Sequence, residues 1–355
     1  MEFSDIILSW YDKNKRSLPW RGTKDPYKIW LSEIILQQTR IEQGLPYYER
    51  FVAAFPTVHD LAKASEDKIL KFWQGLGYYS RARNLHATAK NIVEEYGGKF
   101  PSTFQELLKL KGVGSYTAAA IASFAFKVPS PVVDGNVYRL LSRYYGIDTP
   151  IDSTQGKKEF FELATELIHP KHPDIYNQAI MEFGSIQCKP STPDCLACPL
   201  NATCIAFNRR LVNDLPVKGK SITVRDRYFY FLFVRNKKSF ILHKRKDKDI
   251  WKNLYQLPMI ETKKPLSLSH LMRQQQWNII FKDEHPKVVS ISENVIHKLS
   301  HQTIHAIFIE VNINKIKYDD KEYIWVTEKN YHDHAIPKPI ENFLSKKLKN
   351  TSIKS

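Results

Sequence analysis

The four cysteines of the chain lie close together, and this constrains the fold more than any other feature of the sequence. Cys188, Cys195, Cys198 and Cys204 follow the spacing C-x6-C-x2-C-x5-C, and the other positions of the 355-residue chain hold no cysteine. Clustered thiolates in a reducing compartment indicate metal ligation rather than disulfides. A loop of this length can surround one tetrahedral zinc ion or one cubane iron–sulfur cluster, and the residues alone leave both possibilities open.

The hydrophobic pattern changes part-way along the chain and divides it into two folded regions. From residue 1 to about 205, apolar residues recur at helical spacings of three and four, as in Leu61, Ile69 and Phe72. From 228 onward, β-rich runs alternate with polar turns, with helical stretches near 266–277 and after 336. We therefore predict a mainly α domain, a basic linker, an α+β domain and a Lys-rich tail, at residues 1–209, 210–226, 227–345 and 346–355.

The charge balance favours a polyanionic partner. Lys and Arg number 53 against 37 Asp and Glu, which gives a formal net charge of +16. A basic protein gains affinity for nucleic acid through the release of counterions, so nucleic acid is favoured over an anionic membrane surface. No signal peptide is recognisable, and no apolar run approaches the roughly 18 residues of a membrane-spanning helix. We expect a soluble cytoplasmic protein that does not associate with membranes.

Two short segments of the helical region are candidates for a DNA-binding site. LKGVGSYTAAAIASFAF at 110–126 places Gly112 and Gly114 just before a helix that begins near Ser115. Two glycines allow a tight turn, and the free N–H groups of the helix start favour a phosphate, although such a turn can also be a plain helix connector. About twenty residues later, PVVDGNVYRLL places Asp134 before another helix, where Asp is commonly an N-cap.

The hairpin, the aspartate and the cysteine loop together resemble the helix-hairpin-helix DNA glycosylases of the endonuclease III superfamily, over residues 5–205. The resemblance implies a mainly α helix-hairpin-helix domain in which the loop 188–204 binds one 4Fe-4S cluster. Its ligands would be Cys188, Cys195, Cys198 and Cys204. It also implies that Gly112 and Gly114 contact the DNA backbone.

The residue after the hairpin distinguishes two chemistries in that superfamily. Enzymes that also cleave the strand place a lysine there, whose amine attacks the sugar. Here the position is Tyr116, and a phenol cannot form a Schiff base. We predict a monofunctional glycosylase that uses water. The resemblance assigns stabilisation of the sugar cation to Asp134, oriented together with the water by Tyr116 and Asn136.

A helical run near the N-terminus carries an acidic residue among apolar neighbours. Glu33 lies in WLSEIILQQT at 30–39 and faces either solvent or a pocket that would raise its pKa. WLSE and LQQT resemble the MutY family of adenine-specific glycosylases, and the resemblance makes Glu33 the acid that protonates adenine. It further implies that a set of side chains contacts the substrate: Arg16, Trp20, Arg21, Gln37, Gln38, Thr39 and Glu182.

GLGYYSRARNL at 75–85 resembles the wedge of the same family. The resemblance implies that Tyr78 enters the duplex beside the lesion and that Arg81 and Arg83 lie near phosphates. The alternative is an ordinary basic amphipathic helix.

The C-terminal region resembles the Nudix-fold, MutT-like domain of that family, most clearly at HKR (243–245) and WKNLYQLP (251–258). A Nudix hydrolase needs a helix with several glutamates, and LSLSHLMRQQQWN at 266–278 has none. We therefore predict a recognition module without hydrolase activity. The family reads 8-oxoguanine with a Phe-Ser-His loop. Here Ser300 and His301 follow Leu299, so the aromatic wedge is missing.

Together these features predict an adenine glycosylase of base excision repair. Its substrate would be double-stranded DNA in which adenine is paired with 8-oxoguanine or guanine, and we expect a monomer associated with the nucleoid. Two alternatives stay open. One is an endonuclease III-like glycosylase/lyase, which Tyr116 disfavours, and the other is a non-catalytic DNA-binding module with a structural zinc.

Overall fold

The structure is a computed structural model that describes residues 2–219, 223–281, 284, 286–313 and 323–352. The chain forms two compact units. The first contains Met1–Lys63 and Asn84–Ser221. The second contains Ala64–Arg83 and Ile222–Ser355, so a short segment of the N-terminal region groups with the C-terminal one.

The region before residue 219 is helical, as the spacing of its apolar residues predicts. Its helices are α1 (Phe3–Asn14), α2 (Pro26–Leu36), α3 (Ile41–Ala54), α4 (Val58–Lys63), α5 (Glu66–Trp73), α6 (Ser80–Tyr96), α7 (Phe104–Lys109), α8 (Ser115–Phe126), α9 (Gly135–Tyr145), α10 (Thr154–Leu167), α11 (Pro173–Ile186) and α12 (Ile205–Asn208).

The predicted hairpin lies between α7 and α8. Gly112 has a φ of +76°, a left-handed conformation that a side chain disfavours. A Cβ at this position would also lie 2.8 Å from Cβ of Asn84. Glycine is therefore required at Gly112 both by the backbone and by its neighbour, and α8 begins at Ser115 as the sequence predicts.

A hydrophobic core joins α1, α9, α10 and α11. Ile7, Leu141, Phe160 and Phe183 are completely buried in it. The close packing of α9 against α11 requires glycine at Gly184, because a Cβ there would lie only 2.7 Å from the backbone oxygen of Asn136. The core thus fixes the first turn of α9 against α11, and with it the residue that precedes this turn, Asp134.

The second unit is built on a mixed sheet, as predicted for an α+β domain. The strands are β1 (Arg225–Asn236), β2 (Ser239–Lys244), β3 (Tyr255–Gln256), β4 (Met259–Thr262), β5 (Lys287–Ile291), β6 (Val295–Leu299), β7 (Gln302–Asn312) and β8 (Tyr323–Thr327). Their order in the sheet is β3-β2-β1-β7-β5, with β4 paired to β1, β6 to β7 and β8 to β2. The helices are α13 (Leu268–Leu271), α14 (Gln275–Phe281) and α15 (Lys338–Ser352), with a 3-10 turn at Tyr331–Asp333.

The segment predicted as a basic linker, 210–226, is packed against the helical unit as far as Gly219. Leu215 is buried, and its carbonyl accepts a hydrogen bond from Nε of Arg143 at 3.0 Å. The amide of Ile151 donates to the carbonyl of Val217 at 3.1 Å. Residues 220–222 of this segment lie outside the described residues, and β1 already begins at Arg225.

The Lys-rich tail predicted for 346–355 is helical where it is described. Residues 346–352 form the last turns of α15. Leu348 is buried, and Lys347 forms an ion pair with Glu310 at 2.7 Å. The remaining residues, 353–355, lie outside the described part of the chain. None of the helices described is both long and apolar enough to cross a membrane.

Candidate active site and cysteine loop

A cavity of about 330 Å³ in the helical unit brings together most residues of the predicted substrate pocket. A volume of this order is typical of a site for a small ligand. Of the predicted residues, those that line it are Arg16, Trp20, Arg21, Glu33, Thr39, Tyr116, Asp134, Asn136 and Glu182.

Glu33 lies in this cavity rather than on the solvent-exposed face of α2. It is only 7% exposed, and Ile29 and Leu36 of the same helix line the cavity beside it. Burial raises the pKa of Glu33 to about 7, and the nearby Asp134 adds to the rise, although a hydrogen bond with Tyr116 opposes it. A carboxyl with this pKa can hold a proton near neutral pH and release it to a bound group.

Asp134 is both the N-cap of α9 and a wall of the cavity. Its Oδ1 accepts from the backbone amides of Asn136 and Val137 at 2.9 and 2.8 Å, and its Oδ2 accepts from Nδ2 of Asn136 at 2.7 Å. Burial raises the pKa of Asp134 above its usual value, and these hydrogen bonds and the Arg139 guanidinium limit the rise. The same hydrogen bonds favour the ionised form, and they leave the carboxylate at the cavity wall.

The buried Arg139 connects Asp134 to the cysteine loop. Its Nη2 donates to Oδ1 of Asn136 at 3.0 Å and to the carbonyl of Gly184 at 2.6 Å. Its Nε donates to the carbonyl of Cys188 at 2.8 Å. One guanidinium therefore fixes the side chain that holds Asp134, the end of α11 and the first cysteine.

Two arginines fix Glu182, which also lines the cavity. Arg16 and Arg21 each form a two-pronged pair with its carboxylate, with N–O distances between 2.6 and 2.9 Å. Burial would raise the pKa of Glu182, but these hydrogen bonds outweigh it and lower the pKa to about 2. Glu182 is therefore an anion at neutral pH and cannot be the proton donor of the cavity.

Tyr116 lies within electrostatic range of both carboxyl groups of the cavity. Its hydroxyl forms a hydrogen bond with Glu33, and the role predicted for it in orienting Asp134 stays a prediction. Burial raises the pKa of Tyr116 well above its usual value, so the phenol stays neutral. Tyr116 can then donate to Glu33, and among the residues that the structure describes Asn136 supplies the side-chain hydrogen bond to Asp134.

Four further predicted residues lie outside the cavity. Nε2 of Gln37 donates to Oγ1 of Thr117 at 3.2 Å, towards α8. Gln38 is exposed and has a φ of +54°. Gly112 and Gly114 are exposed at the hairpin, so their own backbone is accessible to a ligand such as a DNA phosphate.

The segment predicted as a wedge belongs to the second unit. Tyr78 is 46% exposed, and its hydroxyl lies 2.5 Å from Oγ of Ser300. Ser300 and His301 form the exposed two-residue turn between β6 and β7. The structure thus brings together Tyr78 and the turn predicted to read the opposite base.

The two arginines of this segment do not have the exposure expected of phosphate contacts. Arg81 is 9% exposed, lies 5.1 Å from the ring of Trp73 and donates to the carbonyl of Gly77 at 3.4 Å. Arg81 therefore holds the loop that carries Tyr78, and its proximity to phosphates stays a prediction. Nη1 of Arg83 donates to the carbonyl of Lys252 at 3.0 Å, and its side chain is half-buried.

The four cysteines line one small cavity with Leu140, Phe183 and Leu200, and all are free thiols. Nη1 of Arg143 donates to Sγ of Cys188 at 3.5 Å. In the part of the chain that the structure describes, no three His, Cys, Asp or Glu side chains are grouped as ligands of a single metal ion.

Sequence reasoning missed Gln178 and Arg40, which also line the main cavity. Gln178 accepts a hydrogen bond from the hydroxyl of Tyr11 at 3.0 Å. It precedes Glu182 by four positions on α11, and residues at this spacing share a face of a helix, so the helical spacing from Glu182 could have indicated Gln178. Arg40 lies in the loop between α2 and α3, where no hydrophobic periodicity indicates which way its side chain points.

Two family models match separate parts of the chain. Residues 31–170 match the HhH-GPD superfamily of base excision DNA repair proteins, and residues 229–346 match the NUDIX domain. The first range contains Glu33, Tyr116 and Asp134, and the second contains Ser300 and His301.

Individual proteins are similar over longer ranges. An adenine DNA glycosylase of Buchnera aphidicola subsp. Schizaphis graminum is 38% identical over 347 residues, which cover 96% of this chain and 97% of that protein. The human adenine DNA glycosylase is 43% identical over 216 residues, 58% of this chain and 40% of that protein. A solved thermostable thymine-DNA glycosylase has a TM-score of 0.55 at 31% identity, covering 58% of this chain and 95% of its own. An endonuclease III–DNA complex, at 23% identity and a TM-score of 0.52 over 59% of this chain and 94% of its own, shares the fold.

The burial of Glu33 predicts that Glu33→Gln stabilises the protein at alkaline pH. The pKa of Glu33 is raised to about 7 on folding, so its contribution to stability is present below the unfolded pKa and lost as pH rises to 7. A neutral amide has no such loss, and the variant should gain about 3 kcal/mol at pH 8. Chemical denaturation between pH 5 and 8.5 measures the gain, which should shrink as pH falls.

The matched control is Glu42→Gln, which removes an exposed carboxyl of the same cavity. It should change stability little at any of these pH values. Equal stability of wild type and Glu33→Gln at pH 8 would show that Glu33 is not held in an environment that disfavours its charge.

Proposed function

The chain belongs to the adenine DNA glycosylases, and we propose that it hydrolyses the N-glycosidic bond of mispaired adenine in duplex DNA. The observation that carries the proposal is the pair of carboxyl groups in one cavity, Glu33 and Asp134. Cleavage of a glycosidic bond needs an acid for the leaving group and an anion for the sugar cation. Burial raises the pKa of Glu33 to about 7, which suits the acid, whereas three hydrogen bonds favour the ionised form of Asp134, which suits the anion.

The proposed reaction begins when the adenine leaves the stacked bases of the duplex. The adenine is rotated out of the duplex, at a cost of a few kcal/mol that a mispair reduces, and enters the cavity. Glu33 protonates the base at N7, so that it leaves as a neutral molecule. The ionised Asp134 stabilises the positive charge that develops on the sugar, and water completes the hydrolysis.

The hydrogen bonds of the cavity support this division of roles. The partner of the Glu33 side chain within the described part of the chain is the neutral phenol of Tyr116, whereas Asp134 accepts three hydrogen bonds, two of them from backbone amides in the first turn of α9. A carboxylate at a helix N-terminus is stabilised as an anion. Because Tyr116 carries no amine, the sugar is not captured by the enzyme and the strand stays intact.

We further propose that the second unit reads the base opposite the adenine, with 8-oxoguanine or guanine as the target. The contact between Tyr78 and Ser300 supports this, because it places a wedge candidate beside an exposed polar turn. Leu299 is half-buried at the end of β6, so it offers less contact to a base than an aromatic ring would. The described helices α13 and α14 contain no glutamate, which supports recognition without Nudix hydrolysis.

One chain supplies all the residues that the proposed chemistry needs, so a monomer suffices. The duplex substrate would place the protein at the nucleoid. Its net charge of +16 suits a partner whose backbone is uniformly negative.

The cysteine loop fits one 4Fe-4S cluster. Four soft thiolates around an apolar cavity are the donors that such a cluster takes. A tetrahedral zinc also takes four cysteine thiolates, so the choice of an iron–sulfur cluster rests on the resemblance of the C-x6-C-x2-C-x5-C spacing. When bound, the cluster would supply structural and electrostatic stabilisation, and Arg139 would transmit the position of Cys188 to Asn136.

The cluster can be tested on purified protein. We expect brown protein with broad visible absorbance and about four irons per chain, as cysteine-ligated cubane clusters have. Cys198→Ser should lose iron and stability together. Colourless protein that contains one zinc per chain would contradict the assignment.

The central experiment incubates the protein with duplexes that place adenine opposite 8-oxoguanine, guanine or thymine. We expect abasic sites opposite the first two, seen as strand breaks only after hot alkali. Glu33→Gln and Asp134→Asn should each lower the single-turnover rate by about a thousandfold or more, since each removes a group that acts in the transition state.

Glu162→Gln is the control for that experiment, because Glu162 is exposed on α10 outside the cavity. It should cleave as wild type does. Breaks without alkali would indicate a lyase, and the absence of abasic sites in every duplex would exclude a glycosylase.

A further inference from the structure

A buried glutamine lies directly behind the turn that carries Ser300 and His301. Gln302 is the first residue of β7 and is completely buried. Its Oε1 accepts hydrogen bonds from Nη1 of Arg227 at 3.1 Å and from Nη2 of Arg225 at 3.3 Å. Its Nε2 has no hydrogen-bond partner among the described residues. The oxygen is therefore the atom through which this amide is held.

Arg227 is itself fixed on both sides. Its Nε and Nη2 pair with the two oxygens of Glu261, each at 2.7 Å, and Nη2 also lies 2.5 Å from Oδ2 of Asp249. Only 8% of the residue is exposed. A guanidinium held in two directions has little freedom, so the hydrogen bond that it donates to Gln302 has a fixed direction.

The strand pairing extends this restraint to the turn. β1 runs parallel to β7 with Arg225 opposite Gln302, and the amide of Arg225 donates to the carbonyl of His301 at 3.3 Å. On the other side, Leu299 of β6 pairs with Gln302. The turn of Ser300 and His301 is therefore held in place by the buried side chain of Gln302 and by pairing with strands on both sides.

We propose that Gln302, held by Arg227, is a positioning residue that sets the discrimination between bases opposite adenine. The inference rests on the proposed reading role of Ser300 and His301. A two-residue turn presents its hydroxyl and imidazole at a fixed place only if the strand ends that carry the turn are rigid. Recognition by hydrogen bonds loses affinity when the donor and acceptor atoms are displaced from their preferred geometry.

The test compares Gln302→Met with Gln302→Glu. Methionine keeps the shape of glutamine but has no acceptor oxygen, whereas glutamate keeps an acceptor for both arginines. Single-turnover adenine release is measured opposite 8-oxoguanine and opposite cytosine, at limiting and at saturating protein. Gln302→Met removes the acceptor of both arginine hydrogen bonds and should reduce the ratio of the two limiting-protein rates by about tenfold or more, with little change in the saturating rate. Gln302→Glu should keep most of the ratio.

Gln256→Met is the matched control. Gln256 is also a buried glutamine of the second unit, and its Oε1 has no partner among the described residues. It should keep the wild-type ratio. If Gln302→Met does not fold, Arg225→Met removes one donor at an exposed position and should lower the ratio in the same direction.

Three outcomes overturn the inference. A wild-type ratio in Gln302→Met or, where that variant does not fold, in Arg225→Met shows that the glutamine does not position the turn. Equal losses in Gln302→Met and Gln256→Met show a general effect of core substitution. A wild-type protein that does not discriminate between the two duplexes refutes the reading role itself, which distinguishes failure of the proposed function from failure of the inference.

Discussion

The arrangement of the active site depends on the hydrogen bonds that the buried guanidinium of Arg139 donates. Arg139 lies on α9, and its donors go to Asn136, to the last turn of α11 and to the carbonyl of Cys188. A buried cation of this kind is costly unless each of its donors finds an acceptor, so these three segments must come together for the domain to fold. Asp134 is then oriented as a consequence of folding, since Asn136 holds its second oxygen. Packing of Gly184 against Asn136 adds a steric limit to the same arrangement.

The two carboxyls of the cavity acquire different properties from their surroundings rather than from their chemistry. Glu33 projects from the middle of α2 into apolar walls, where ionisation is penalised. Asp134 caps a helix and accepts three hydrogen bonds, which favour the charge that burial penalises. Glu182, in the same cavity, is neutralised by two arginines and serves to hold the wall in place. Because the pKa of Glu33 is raised to about 7, the protein loses stability as the pH rises from the ordinary carboxyl pKa to 7, a common cost of keeping an acid at an active site.

Much of this could be predicted from the sequence, because the decisive residues lie in local patterns. The hairpin glycine, the aspartate before α9 and the glutamate among apolar neighbours each carry a short-range signature, and the comparisons confirm the fold and the family that they indicate. Contacts between distant positions were not predictable in this way. Arg81 looks like a surface residue of a basic helix, but it packs on Trp73, and Tyr116 bonds to a residue more than eighty positions earlier. The packing of Leu215 and of the end of α15 also depends on tertiary contacts that composition does not record.

The pH dependence of adenine release, measured in single turnover at saturating protein, tests most directly whether Glu33 delivers the proton. The rate should be highest while Glu33 is protonated and should fall above its pKa of about 7, approaching tenfold per pH unit. The midpoint should be absent from the residual activity of Glu33→Gln. A rate that stays constant from pH 6 to 9, or that rises through this range, would contradict the account.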